Sequence, residues 1–332
     1  MISCISIARS PRARPLLRRC LLATALATGS LLAGASADQA LAYSLTSIDV
    51  PGASATYAFG INDSGQVSGF YTDGSGDHGF VDTGGAFSTY DVPGSSFTHA
   101  TGINNAGHVT GGYYDAGIWR GFVKTGGSFA TLTYPGASIT NVYGINDAGT
   151  LSGTATTGGT NHGFYYAGGS FSTIDGPWGS TQMEFNNNAN QSVGYSLVAG
   201  QHGFLYTAGV FSTINVPGSS STNVIGINDA GDLTGTYGDG SGQHGFVDIG
   251  GIFSTVDFPG AIATYVYDIS NTGQIEGQYL DGNGFHGFVS APVPEPTTFA
   301  LLGGGLLGLI ALRRRAHTSS PVTPSPQPTK NS

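Results

Sequence analysis

Short runs of alternating apolar and polar residues recur along this chain between glycine-rich turns. One such run, from Phe87 to Val92, reads F-S-T-Y-D-V and is followed by Pro93-Gly94. Alternation with a period of two predicts a half-buried β-strand, and Pro-Gly predicts a turn because proline cannot donate to a sheet ladder. The equivalent runs, predicted as the first strand of each unit, are 45–50, 87–92, 129–134, 171–175, 211–216 and 253–258.

A second predicted strand ends in the motif G-I-N, and the asparagine of this motif is the first residue of a turn that reads N-D-S-G, N-N-A-G or N-D-A-G. This residue order is typical of a hairpin turn whose glycine adopts a positive φ. The motif asparagine is expected to accept hydrogen bonds from the turn backbone. These structural asparagines are Asn62, Asn104, Asn146 and Asn228.

A third strand with the pattern apolar-x-Gly and a fourth strand with the motif H-G-F complete each unit. The first residues of the H-G-F motif are His78, Arg120, His162, His202, His244 and His286, with arginine replacing histidine once. Their spacings of 42, 42, 40, 42 and 42 residues indicate one supersecondary unit per repeat, which is stable only when stacked on its neighbours.

Six four-stranded units of nearly equal length predict an all-β fold, a six-bladed β-propeller over residues 43–290. A β-solenoid is the alternative fold. Whether one sheet coincides with one sequence repeat, or one sheet is completed by both ends of the chain, is left open at this stage. The fourth unit departs most from the pattern, because Pro177-Trp178 replaces Pro-Gly, Asn186 stands at the isoleucine position and Asn190 at the turn glycine. It is therefore predicted to be the loosest unit.

The amino-acid composition favours a folded domain and gives the sign of its net charge. The 55 glycines are periodic and lie beside apolar residues, which favours a turn-rich β domain over disorder. Residues 43–290 contain two cations, sixteen aspartates and two glutamates, a formal charge of −16. Such a field repels phosphate backbones, so no nucleic-acid partner is expected, whereas cations or neutral glycans are compatible with it.

The N-terminal residues 1–42 are predicted to be a cleaved signal peptide. Arg9 to Arg19 is rich in arginine, Leu21–Leu32 is apolar, and small residues allow cleavage after Ala37 or Ala42. Both cysteines of the chain, at positions 4 and 20, lie in this segment, so the mature protein is expected to contain no disulfide and no Cys-ligated metal.

The C-terminal residues form three further predicted segments: a Pro-rich linker at 291–298, a short apolar helix with an arginine cluster at 299–315, and a disordered polar tail at 316–332. The apolar run of the helix, 299–312, is shorter than the roughly 20 residues that a stable membrane span requires. The arginines are expected to stay on the cytoplasmic side.

Two resemblances follow from these motifs. The order G-I-N-x-x-G-x-V-x-G followed by H-G-F resembles the HAF repeat of bacterial extracellular proteins, with glycine where that family usually has alanine. The resemblance implies an exported, propeller-like protein and no particular activity.

The C-terminal order V-P-E-P-T-T, short apolar helix and arginine cluster resembles the PEP-CTERM sorting signal. The matching residues are Val293, Pro294, Glu295, Pro296, Arg313, Arg314 and Arg315. The resemblance implies a transient inner-membrane anchor, processing by an exosortase-like enzyme, and release to the cell surface or the exopolysaccharide matrix. The polar tail after the arginines departs from the family pattern.

The candidate chemistry is sparse. The H-G-F histidines could form a metal-binding ring, but a side chain that recurs in every repeat favours a structural hydrogen bond, and Arg120 cannot ligate a metal. The acidic turns at Asp73, Asp77, Asp239 and Asp281 could hold Ca²⁺, but Asx turns explain them without an ion. The expectation is therefore that the protein has no cofactor.

Glu184 and Glu276 are the only glutamates of the repeats, and a glycosidase would need such a pair across a cleft. No nucleophile motif is present. The sequence thus predicts a non-enzymatic surface or matrix protein. A lectin-like propeller that binds glycans through aromatic residues such as Trp119 and Trp178 is the alternative, and a polysaccharide hydrolase or lyase is a further one.

Overall fold

The computed structural model describes residues 43–198 and 200–291, in which every regular element is a β-strand. The all-β prediction is confirmed for this part of the chain. Within it, no helix is long and apolar enough to cross a membrane. The predicted signal peptide, the sorting helix and the polar tail lie outside the described residues.

β1 (Leu45–Ile48) is the first strand of the described residues, and it and the strands after it form six antiparallel units. Unit 1 contains β2 (Ala55–Ile61), β3 (Gln66–Asp73), β4 (Gly76–Thr83) and β5 (Ala86–Thr89). Unit 2 contains β6 (Phe97–Ile103), β7 (Val109–Asp115), β8 (Ile118–Thr125) and β9 (Ser128–Leu132). Unit 3 contains β10 (Ile139–Ile145), β11 (Leu151–Thr157), β12 (Thr160–Ala167) and β13 (Ser170–Ile174).

The second half of the domain repeats this arrangement. Unit 4 contains β14 (Gln182–Asn186), β15 (Ser192–Ser196), β16 (His202–Thr207) and β17 (Val210–Ile214). Unit 5 contains β18 (Ser221–Ile227), β19 (Leu233–Gly238), β20 (Gln243–Ile249) and β21 (Ile252–Val256). Unit 6 contains β22 (Ala263–Ile269), β23 (Ile275–Leu280) and β24 (Phe285–Ser290), with β1 as its fourth strand.

The sheets are out of phase with the sequence repeat by one strand. β1 pairs with β24 in an antiparallel register that runs from Leu45 opposite Ser290 to Ile48 opposite Gly287. The strand predicted as the first of each repeat is therefore the outer strand of the preceding sheet. It also ends earlier than predicted in unit 6, because β1 stops at Ile48 rather than at position 50.

The G-I-N strand of each unit packs against its neighbours on both sides. β2 contacts β6 of unit 2 and β22, β23 and β24 of unit 6, so the first and last units of the chain are in contact. Units 1, 2 and 3 are joined further by single parallel bridges, at Asp77 opposite Phe97 and at Trp119 opposite Ile139.

The H-G-F phenylalanine forms the core of every unit. Phe80, Phe122, Phe164, Phe204, Phe246 and Phe288 are all completely buried. The ring of Phe80 packs over Gly69, where an added Cβ would lie 2.8 Å from the ring. The apolar-x-Gly motif of the third predicted strand is thus explained, because its glycine leaves room for the phenylalanine of the neighbouring strand.

The motif asparagine links each hairpin to the next unit. Asn104 accepts hydrogen bonds at Oδ1 from the backbone N–H groups of Ala106 and His108, and its Nδ2 donates to the carbonyl of Asn146 in unit 3. Gly107 has a φ of +73°, as the turn type requires. One buried side chain therefore closes a turn and joins two units.

We expect Asn104→Ala to lower the free energy of unfolding by about 2 kcal/mol, because it removes hydrogen bonds from buried backbone groups. Urea unfolding followed by tryptophan fluorescence measures this change. Asn283→Ala, in an exposed loop, is the control and should stay within about 0.5 kcal/mol of the parent. Equal effects of the two substitutions would contradict the structural role of Asn104.

Unit 4 keeps the turn geometry despite its divergent sequence. Asn187 takes the place of the motif asparagine, and Asn190 adopts a φ of +55° where the other turns have glycine. The side chain of Asn186 is buried and accepts a hydrogen bond from Ser152 Oγ while donating to the Thr150 carbonyl. The lost apolar contact is thus replaced by hydrogen bonds to unit 3.

Candidate functional site

The H-G-F histidines lie in the third strand of their units, and His78, His162, His244 and His286 bond to aspartates. His78 Nδ1 lies 2.9 Å from Asp91 Oδ2, and His244 Nδ1 lies 2.9 Å from Asp257 Oδ2. The hydrogen bond to Asp91 raises the pKa of His78 above its ordinary value. In unit 6 the aspartate comes from the other end of the domain, because His286 Nδ1 lies 2.7 Å from Asp49 Oδ1.

The remaining positions of this row are His162, His202 and Arg120. His162 bonds to Asp175 at 3.0 Å, and His202 also has an interaction partner. Arg120 lies 3.8 Å from Asp115. Each of the described contacts stays within one sheet unit, so these side chains do not converge on a common centre.

The acidic turns considered for Ca²⁺ are engaged by their own loops. Asp73 Oδ1 accepts hydrogen bonds from the backbone N–H and the hydroxyl of Ser75, and Asp239 does the same with Ser241. Asp281 accepts from the Asn283 N–H, whereas Asp77 bonds to His99 and Thr72. Among residues 43–198 and 200–291, no three His, Asp or Glu side chains are placed to hold a metal ion.

Aspartate and asparagine alternate around the opening formed by the G-I-N turns. Asn105 Nδ2 donates to Asp63 and to Asp147, at 2.8 and 3.0 Å, and Asn188 bridges Asp147 and Asp229 in the same way. These donors lower the pKa of Asp147 although partial burial opposes them. The ring continues through Asn271, whose backbone N–H and side chain both donate to Asp63.

Both glutamates are buried in the interior and are not repeated in other units. Glu184 is 6% exposed and lies on inner strand β14, and burial raises its pKa to about 8. Burial raises the pKa of Tyr143, Tyr195 and Tyr267, and the charge of Glu184 acts on all three in the same direction.

Glu276 lies opposite Asp268 in the pairing of β23 with β22. It is completely buried, and neither carboxyl oxygen makes a hydrogen bond of good geometry. Burial raises the pKa of Glu276 well above its ordinary value, and the charge of Asp268 acts in the same direction. Burial also raises the pKa of Asp268 to about 7, although its oxygens accept from the N–H groups of Ile61 and Ile269.

An aromatic groove, which we define by Phe70, His99, Tyr114, Trp119 and Tyr143, lies where units 1, 2 and 3 meet. Its volume is about 630 Å³. Phe70 and His99 stack with ring centroids 3.6 Å apart and an interplanar angle of 5°. Trp119 packs edge-on against His99, at 4.9 Å, and lies 6.4 Å from Tyr114. The groove thus combines several aromatic side chains with few polar ones.

Of the two tryptophans considered for glycan binding, only Trp119 lines this groove. Trp178 is half-buried and packs on Phe204 and Phe211 of unit 4. Phe70 and His99, which complete the groove, were not singled out from the sequence. The signal that could have found Phe70 is an aromatic ring at a repeat position that carries Thr or Gln in units 3, 5 and 6.

The sorting-motif residues 293–296 and 313–315 lie outside the described residues, but comparison with protein families identifies them. The chain matches the PEP-CTERM protein-sorting motif over residues 292–315. This confirms the predicted sorting motif at the C-terminus. The motif indicates an exported protein that is anchored transiently at the membrane and is processed by an exosortase-type enzyme before surface release.

Comparison of the fold finds propeller-like structures at low sequence identity. A protein from Agrobacterium tumefaciens assigned as TolB aligns with a TM-score of 0.52 and 11% identity, covering 72% of this chain and 91% of its own. Virginiamycin B lyase from Staphylococcus aureus aligns with a TM-score of 0.45 and 14% identity, covering 77% and 90%. No curated protein sequence matches the chain. The similarity to the TolB structure defines the class of fold, a propeller-like all-β domain, and no activity.

Proposed function

We propose that this chain is a non-enzymatic β-propeller of the cell surface or extracellular matrix, delivered by an exosortase-type pathway. The observation that carries the proposal is the PEP-CTERM match at residues 292–315, downstream of a β domain. The repeats that resemble the HAF family fit an exported module of this kind. Exopolysaccharide of the producing cell is the proposed matrix partner.

We infer further that the six units are the blades of a closed six-bladed propeller. The inference is supported by the contacts of β2 with unit 6 and by β1, which supplies the outer strand of that unit. Closure by strands from both ends of the chain removes the free sheet edges that an open stack would leave.

The proposed absence of catalysis is supported by how the candidate residues are used. His78 and His244 bond within their own units, Asp73 and Asp239 bond within their own loops, and Glu184 and Glu276 are buried. The competing hypothesis of a glycan hydrolase or lyase predicts turnover of matrix polysaccharide that Glu184→Gln or Glu276→Gln would abolish. Absence of turnover by the parent protein would eliminate it.

The sorting proposal is tested by replacing Pro294, Glu295 and Pro296 with alanine in the full chain carrying an epitope tag inside an exposed domain loop. We expect the parent protein to be processed to a shorter, surface-released form. The variant should remain unprocessed and membrane-associated, because the enzyme no longer recognises its cleavage segment. Immunoblots of membrane, surface and medium fractions measure the distribution.

A matched control replaces Pro321 and Pro324 of the C-terminal tail with alanine, which changes two prolines outside the matched motif. This variant should be processed like the parent protein. Deletion of the exosortase gene in the host should reproduce the unprocessed form. Normal processing of the Pro294–Pro296 variant would contradict the proposal.

A lectin-like function is the second candidate, and the aromatic groove favours it. Contiguous exposed apolar surface commonly marks an interaction site, and Phe97, Tyr114, Ile118 and Ile139 are each at least 37% exposed in the described structure. A groove of this size with a mainly apolar lining is typical of small-molecule sites.

A further inference from the structure

The aromatic groove exists because unit 2 departs from its neighbours at two positions. The residue before the H-G-F motif normally reaches across to the inner strand of the next unit. Asp77 bonds to His99 at 2.9 Å, and Gln201 donates to Asn223 at 2.6 Å. In unit 2 this residue is Trp119.

Trp119 turns back over its own sheet because Gly112 leaves space there. An added Cβ at Gly112 would overlap the indole ring of Trp119. The position opposite the H-G-F glycine carries a side chain in every other unit: Phe70, Thr154, Tyr195, Thr236 and Gln278. The combination of glycine and tryptophan therefore opens the junction between units 2 and 3, whereas polar pairs span the corresponding junctions that follow units 1, 3 and 4.

The polar groups of the groove are uncharged. The Asp77 carboxylate can only accept, so His99 donates from Nε2, and its Nδ1 is an acceptor. Burial lowers the pKa of His99, which keeps the ring neutral near pH 7. Asn141 and Ser138 add an amide and a hydroxyl to the lining, and no lysine, arginine, aspartate or glutamate lines the groove.

We propose that the aromatic groove is a binding site for a neutral saccharide chain, with one sugar ring stacked on Trp119 and its hydroxyl groups bonded to His99 and Asn141. The proposal rests on the lectin-like candidate function. A sugar ring has an apolar face and a polar rim, which matches a lining of aromatic faces and uncharged donors and acceptors. The formal charge of −16 over residues 43–290 disfavours glycans that contain carboxylates or sulfates.

The test uses the full chain, purified in detergent, with Trp178→Phe. Because the protein has two tryptophans, this substitution leaves Trp119 as the sole fluorescent tryptophan. Titration with neutral hexose oligosaccharides should shift its emission in a saturable manner. Uronic-acid oligosaccharides of equal length form the second arm and should bind at least tenfold more weakly.

Two variants of the parent protein, measured by calorimetry, locate the site. Gly112→Thr introduces the residue of units 3 and 5, and Trp119→Gln introduces the residue of units 4 and 5; each should weaken binding at least tenfold. Gln243→Ala, the equivalent position in unit 5, should leave the affinity unchanged. Thermal unfolding of each variant should stay close to that of the parent, which separates lost binding from lost folding.

Absence of binding to neutral oligosaccharides, preferential binding of a charged arm, or equal affinities of the parent and both groove variants would overturn the proposal. Surface delivery is scored on the same variants by cell fractionation. If the parent protein reaches the surface but does not bind saccharide, only the assignment of the groove as a saccharide site is contradicted. If the parent protein is not processed, the sorting proposal is contradicted.

Discussion

Deletion of residues 43–49 should abolish cooperative folding of the β domain, although it removes a single four-residue strand at the N-terminal end of that domain. β1 covers the edge of β24 from Gly287 to Ser290. Ile48 is buried in a cluster with Ala58, Ile61 and Val67, so the deletion also removes apolar contacts between units 6 and 1. Removing one buried isoleucine alone costs about 2–5 kcal/mol, a large fraction of the stability of a typical domain.

The expected result is a protein that aggregates, because the uncovered β24 presents an unpaired strand edge. Circular dichroism and size-exclusion chromatography of the full chain with and without residues 43–49 provide the measurement. The deletion should broaden or eliminate the thermal transition.

A rearranged variant tests whether the pairing of β1 with β24 matters for stability irrespective of where β1 occurs in the sequence. Residues 43–49 are moved to follow Ala291 through a Gly-Gly turn like that at positions 84–85 of unit 1. This strand can then form a hairpin with β24, as the outer strands of the other units do with their neighbours. The rearranged protein should regain the parent transition. A deletion variant as stable as the parent would disprove the role of β1 as the closing strand.

The structural features that recur in every unit could be predicted from the sequence, because a residue that recurs at one repeat position makes the same contact in each unit. The buried phenylalanine, its opposing glycine and the turn asparagine are of this kind: Phe122, Gly111 and Asn104 are examples from unit 2. The phase of the sheets could not be predicted in this way. Residues in β1 and β24 pair across more than 230 positions, and either phase gives the same periodic pattern.

A residue that occurs in a single unit could not be assigned a role from the repeat pattern. Trp119 opens a groove only because Gly112 lies beneath it, and their proximity depends on strand register rather than on sequence distance. The repeat position of Glu276 is occupied in other units by Ser68, Thr110 or Thr234. The alternation of apolar and polar residues in this strand does not predict that Glu276 is buried. Substitution of an acid for a small residue at a repeat position is the signal that could have indicated it.

Three buried carboxyl groups should make the protein less stable as the pH rises. Glu276 and Asp268 lie opposite each other, and burial raises the pKa of both, that of Asp268 from 3.8 to about 7. Burial likewise raises the pKa of Glu184 from 4.5 to about 8. The folded state therefore binds more protons than the unfolded state between about pH 4 and 8, so the free energy of unfolding falls across this range.

The size of the effect follows from the linkage between the pKa and stability. One unit of pKa difference corresponds to about 1.4 kcal/mol, so the shift of Asp268 alone has an upper bound of roughly 4 kcal/mol. The histidines with raised pKa values, such as His78, add a smaller decrease in the same direction. A comparison of variants that all retain these histidines isolates the contribution of the carboxyl groups.

The double variant Asp268→Gly and Glu276→Thr introduces the Gly and Thr that unit 5 carries at these positions, Gly226 and Thr234. Its urea midpoint should change much less than that of the parent between pH 4 and 7, and at pH 8 it should be the more stable protein. Glu184→Gln is the matched single change and should remove the part of the decrease that extends towards pH 8. If the urea midpoints of the parent and the double variant change in parallel with pH, then Asp268 and Glu276 are not the groups that bind additional protons in the folded state. The cause of any pH dependence would then lie elsewhere in the domain.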